Sequence, residues 1–131
     1  MKKDIKINQV KGVQIAAIYE KHPEYHTDDW NIYLINTLDH AIETILIVSE
    51  GKDEKVKTSV FRRSLKVLPA KSYVKIELIQ PELLQIDNLF SVSFFEANDF
   101  MHKNFILRKN SAQPSKIKKL PVINKKGVLA E

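Results

Sequence analysis

Between Asp29 and Ser49 apolar and polar residues run in short, dense alternation, DWNIYLINTLDHAIETILIVS. Trp30, Ile32 and Leu34 fall on one side of a strand and Asn31, Tyr33 and Ile35 on the other, because successive strand side chains point to opposite faces. Ile42, Thr44, Leu46 and Val48 likewise oppose Glu43, Ile45 and Ile47. Ile, Val, Thr, Tyr and Trp suit a pleated, half-buried surface. The pattern predicts two strands joined by a tight turn at Thr37-Leu38-Asp39-His40, a hairpin around which the chain is organised. Both strands are apolar on both faces near their middles, as central strands of a sandwich are.

The flanking segments extend this reading. Lys3 to Asn8 reads as a short strand and Gly12 to Glu20 as a better one, with Val13, Ile15 and Ala17 opposed to Ala16 and Ile18. Residues 20 to 29, polar with Pro23, form a loop, as does Glu50 to Lys57 with Gly51 at its turn. Thr58 to Leu68 is extended. Ser72 to Gln80 alternates cleanly, placing Val74, Ile76 and Leu78 inward and Tyr73, Lys75 and Glu77 outward. Pro81 to Asn88 is the one helix-like piece, one or two turns long. Leu89 to Ala97 and His102 to Lys109 complete the strands, with a turn at Asn98 to Met101. The expected fold is all-β: an immunoglobulin-like antiparallel β-sandwich of about eight strands with one short helix. It spans residues 1–109, followed by a basic, partly apolar extended C-terminal tail over 110–131. Ile117, Leu120, Val122, Ile123, Val128 and Leu129 make that tail too apolar for plain disorder. It is expected to lie on the body or on a second subunit.

Composition narrows the function classes. With 131 residues the chain is one domain, large enough to hold a core. It has no cysteine, which excludes disulfides, thiolate metal sites and cysteine nucleophiles. No stretch approaches the ~20 apolar residues of a membrane span, and no apolar run follows the first lysines, so a cytoplasmic protein without membrane contact is expected. The formal net charge of +5 is unevenly placed: residues 1–102 carry 13 Lys and Arg against 15 Asp and Glu, and residues 103–131 carry 8 against 1.

Candidate chemistry is sparse. His22 and His26 share a loop with Glu20, Glu24, Asp28 and Asp29, residue types that suit zinc and similar ions. Pro23 opposes the helix that would align the two histidines. Glu96, Asp99 and His102 could serve as an acid/base cluster, although Asp at a strand turn has local reasons to be there. No G-x-S-x-G elbow and no glycine-rich phosphate loop occurs, and the chain has only three glycines. Arg62 and Arg63 point to opposite faces of a strand. Lys116, Lys118, Lys119, Lys125 and Lys126 form the stronger anion or partner contact, but no interleaved aromatics offer a stacking platform for bases.

The segments DWNIYLINTLDHAIETILIVSEG, SLKVLPAKSYVKIELIQ, SFF and KKGVLAE together resemble a family of short uncharacterised bacterial proteins. RRSLKVLPAKSY and GVLAE are the most specific parts of that likeness. Some members carry the label of a phenylalanyl-tRNA synthetase alpha subunit; such a catalytic domain is far longer and needs ATP-binding arginine motifs, which this chain lacks. The extended segment with Tyr-Leu-Ile-Asn, a turn, and a strand ending in Ser-Glu-Gly is also similar to the β-sandwich domain that accompanies Smr nuclease domains. That likeness implies an immunoglobulin-like sandwich and carries over no catalytic residue. The expected role is therefore a non-enzymatic binding or assembly module without a cofactor, its partner a protein or a second copy in a homodimer. The alternatives are a nucleic-acid-associated accessory protein using the C-terminal lysines, and a metal-dependent enzyme using the His22/His26 loop.

Overall fold

The computed structural model describes residues 9–53 and 60–131. Among the described residues nine strands form two antiparallel sheets: β1 (Val13–Lys21), β2 (Asp28–Asn36), β3 (Ile42–Lys52), β4 (Phe61–Leu68), β5 (Ser72–Ile79), β6 (Asp87–Glu96), β7 (Asp99–Leu107), β8 (Lys118–Lys119) and β9 (Lys126–Leu129). Sheet A has the order β5-β2-β1-β9-β8 and sheet B the order β4-β3-β6-β7. The all-β class expected from the alternation is present. One short helix was expected at Pro81 to Asn88; a 3-10 helix covers Pro81–Gln85, and a second, unexpected one covers Pro114–Lys116. The strand expected at Lys3 to Asn8 and residues 54–59 lie outside the described residues. No helix among the described residues is long and apolar enough to cross a membrane.

The expected central hairpin does not form. β2 pairs with β1 and β5, whereas β3 pairs with β4 and β6. Thr37 to Ala41 carries the chain from sheet A to sheet B. Alternation marks strands but leaves their partners open, and two apolar faces suit a central strand in any pairing. Asn36 settles the crossover. It is fully buried, and its amide donates to the carbonyls of His40 (3.0 Å), Leu68 (3.2 Å) and Pro69 (3.0 Å). Its Oδ1 accepts the Leu38 N–H at 3.0 Å. One side chain thus satisfies backbone groups of two connections between the sheets, β2 to β3 and β4 to β5.

Two bulges correct the expected faces. The register of β3 on β6 shifts between Glu43 and Leu46, where Thr44 has φ 50°. The shift turns both Ile42 and Ile45 into the core, which strict alternation forbids. The register of β2 on β5 shifts between Ile32 and Tyr33. Ile76 and Ile79 therefore face in, Leu78 is left 47% exposed rather than buried, and Glu77 turns inward to accept the Ser49 hydroxyl at 2.7 Å. Two turns also differ. Gly51 lies within β3 opposite Asn88, and the β6–β7 reversal is made by Ala97 and Asn98, placing Phe100 and Met101 in a strand.

The main core lies between the sheets. Trp30, Ile32, Leu34, Ile47, Phe90, Val92, Phe94 and Phe105 fill it. A second cluster lies on the outer face of sheet A, where Ala16, Ile18, Tyr33 and Ile35 are covered by Leu120 and Ile123. This explains the two-faced apolar pattern of β1 and β2. Residues 110–131 are therefore not a tail beside the sandwich but part of it. β9 inserts between β1 and β8. Beyond it, Glu131 and Ile106 exchange both backbone hydrogen bonds, 2.8 and 2.9 Å, joining sheet A to β7 of sheet B.

Candidate functional site

Each expected polar cluster has a definite place in this fold. Glu96, Asp99 and His102 are not brought together as an acid/base group. His102 Nδ1 meets Ser93 Oγ at 2.9 Å and its Nε2 meets Asn104 Oδ1 at 3.1 Å. Glu96 turns instead to His40 on the crossover, its Oε2 2.7 Å from Nε2, while Asp39 Oδ1 lies 3.0 Å from Nδ1. The hydrogen bonds to Asp39 and then Glu96 hold the His40 imidazolium above the usual histidine range, and that from His40 holds the Asp39 carboxyl low. The group borders a cleft of about 550 Å³ with Lys11, Leu38, Asp99 and Met101. Both ring nitrogens of His40 are thus engaged by carboxylates. The arrangement is a clamp between the crossover and the β6–β7 hairpin.

The His22/His26 loop is a closed turn. His22 Nδ1 accepts the backbone N–H groups of Glu24 and Tyr25, each at 3.1 Å, and its ring stacks on Tyr25. The His26 N–H bonds to the His22 carbonyl. Among the described residues no three His, Asp or Glu side chains gather as metal ligands.

The five lysines expected as an anion or partner contact take different places in the fold. Lys125 reaches into the fold, its Nζ 2.8 Å from Glu20 Oε1. Glu20 Oε2 also accepts the Asn31 amide at 2.7 Å and the Tyr33 hydroxyl at 2.6 Å. Burial acts to raise the Glu20 pKa, but the hydrogen bonds from Lys125, Tyr33 and Asn31 outweigh it and hold the carboxyl low. Burial and the Glu20 carboxylate push the Tyr33 hydroxyl far up. Lys116 ends the second 3-10 helix, Lys118 and Lys119 make up β8, and Lys126 lies opposite Lys119 on β9. A two-residue edge strand made of lysines suits the guarding of a sheet edge.

The two outer faces differ most. That of sheet A is covered by residues 120–123 over β1 and β2, while Tyr73 and Leu78 on β5 stay exposed. That of sheet B bears Leu46, Val67, Phe95 and Phe100, respectively 38%, 50%, 37% and 56% exposed, with Ser64 and Ser93 beside Leu46. The Phe95 and Phe100 rings meet edge to face at 5.5 Å. A hollow of about 380 Å³ lies at the Thr44 bulge and another of about 370 Å³ by Val48, Leu89 and Ile106. None of these groupings had a local sequence signal: Glu20 and Lys125 are 105 positions apart, and His40 and Glu96 are 56 apart. The chain matches no known protein family and no characterised protein.

Proposed function

We propose that this protein is a non-enzymatic binding or assembly module on an immunoglobulin-like sandwich, working in the cytoplasm, whose outer sheet B face docks a second copy of the chain. The observation that carries this reading is the contrast between the two faces. The chain spends its own C-terminal segment covering the outer face of sheet A over β1 and β2 and leaves Leu46, Val67, Phe95 and Phe100 on sheet B in water, grouped around Glu43, which lies opposite both Val67 and Phe95. Exposed apolar residues grouped on one face mark interaction surfaces. Small serines between them let two sheets approach to about 10 Å, the ordinary spacing of packed sheets. The resemblance to sandwich domains that accompany other modules supports the same role.

Size-exclusion chromatography with light scattering tests the proposal. The wild-type chain is expected to run as a dimer, and Leu46→Glu with Phe100→Glu as a folded monomer. A wild-type chain that stays monomeric at the highest attainable concentration overturns the homodimer, as does a dimer indifferent to both substitutions.

A further inference from the structure

We propose a second binding surface, the free edge of β4, which takes up an extended peptide of alternating acidic and apolar residues as an added strand. The sheet edges are treated differently from one another. At β5, the Arg63 guanidinium donates through Nη1 to the carbonyls of Lys75 (3.0 Å) and Ile76 (3.1 Å) at the bulge, so that edge is stoppered. β8 is two residues long and wholly lysine. At β7, Glu131 takes both backbone groups of Ile106. Glu131 covers one residue of the nine in β7, so the length of open edge alone does not single out β4. β4 runs eight residues, pairs with β3 from Ile42 to Ser49 on one side, among the described residues has no strand on the other, and differs from β7 in carrying three cations and no acidic residue. An unguarded edge of that length is a template for another chain.

The chemistry of β4 selects the occupant. Phe61–Leu68 holds Arg62, Arg63 and Lys66 and no acidic residue. Val60, Phe61 and Val67 are 48%, 38% and 50% exposed along it. Beside it lies the hollow at the Thr44 bulge, lined by Leu46, Ser64, Leu65 and Lys66. An added strand therefore meets cations and apolar surface at adjoining positions. Cross-strand pairs of opposite charge stabilise, and like charges directly opposite destabilise. That rule disfavours a second copy of β4. Two-fold pairing about Ser64 sets Arg62 against Lys66 of the other copy, and any pairing of two β4 edges gathers six cations without a carboxylate. Main-chain hydrogen bonds supply affinity in strand addition, and alternate side chains supply specificity.

Labelled eight-residue peptides, matched to the length of β4, test this by fluorescence polarisation. The panel alternates Val with Glu, Ser or Lys. The Glu peptide is expected to bind at least tenfold tighter than the Ser peptide at low salt, and the Lys peptide weakest. Its advantage shrinks at high salt, where exposed charges are screened. Methylating one alternate set of its backbone amides abolishes binding and methylating the other leaves it, because an added strand offers β4 only one set. Arg62→Glu with Lys66→Glu, both exposed positions, reverses the preference toward the Lys peptide. Failure of every peptide overturns the proposal, as does equal response to the two methylation sets, which would mean attraction by charge alone. Wild-type self-association lost in the Arg62→Glu, Lys66→Glu variant would assign the edge to a second copy and also overturn it. The edge shares Val67 and the Leu46 hollow with the outer face of sheet B, whereas Phe100 lies on β7 at the opposite edge. Phe100→Glu alone therefore separates the two, abolishing face-mediated dimerisation while leaving peptide binding unchanged.

Discussion

Gly127→Ala tests whether the C-terminal segment is integral to the sandwich. Gly127 lies opposite Ile18 on the central strand of sheet A. A Cβ there would stand 2.4 Å from the Ala17 carbonyl oxygen, 2.6 Å from Ile18 Cδ1 and 3.1 Å from Ile18 Cα. The nearest atom is backbone in a strand paired on both sides, so it cannot yield. β9 must move outward by about 1 Å, a gap that forfeits a quarter to a half of each dispersion contact it opens. If the strain is absorbed locally, overpacking of this kind costs about 1–3 kcal/mol. If the segment detaches, the burial of Leu120 and Ile123, worth roughly 1.5–3 kcal/mol each, goes with it. The expected loss is therefore at least about 1 kcal/mol and about 3–6 kcal/mol if the segment detaches, a sizeable share of the roughly 5–15 kcal/mol typical of a domain. Urea unfolding followed by the single tryptophan measures it. Trp30 lies in the main core, away from the second cluster. Amide exchange of Val128 and Leu129 shows whether β9 has left β1. A midpoint shift below about 0.5 kcal/mol, within the range of ordinary surface substitutions, together with protected β9 amides, would refute the reasoning.

Three further outcomes are expected. Trp30→Ala empties the centre of the main core beside Tyr19 and should cost about 3–5 kcal/mol, measured by urea unfolding followed by far-UV circular dichroism because the variant has no tryptophan. Glu20→Gln weakens the bonds to Lys125, Tyr33 and Asn31, costing about 1–3 kcal/mol at neutral pH. Because Glu20 titrates lower in the folded state, its contribution is present above the usual carboxylate range. The gap between variant and wild type should therefore close as pH falls through the folded pKa, and a gap independent of pH would contradict the charge-based account. His40 should titrate above the histidine reference of 6.5 when followed by NMR, and less so in Glu96→Gln. Its stabilisation is complete below that reference and is lost as pH rises through the folded value. An unshifted midpoint would dissolve the clamp.

Strand identity and the inward sides of β1, β2, β6 and β7 were readable because alternation with period two survives in their residues. Trp30, Ile32, Leu34, Phe90, Val92, Phe94 and Phe105 all face the core as that period requires. The apolar content of residues 117–129 likewise signalled a segment that would not remain in water. The two-faced character of β1 and β2 was visible too, although its cause was not: the outer faces are buried by Leu120 and Ile123, about a hundred positions downstream. Strand partners, bulges and polar clusters belong to the tertiary structure. A strand's pattern carries its own period but no address for a neighbour, so β2 and β3 read as a hairpin although they lie in different sheets. A single inserted residue at Thr44 or Ile76 reverses every following side chain without altering composition. The Glu20–Lys125 and His40–Glu96 contacts arise where distant loops meet. The exposed face of sheet B and the edge of β4, which has no strand beside it among the described residues, follow from where the other strands pair.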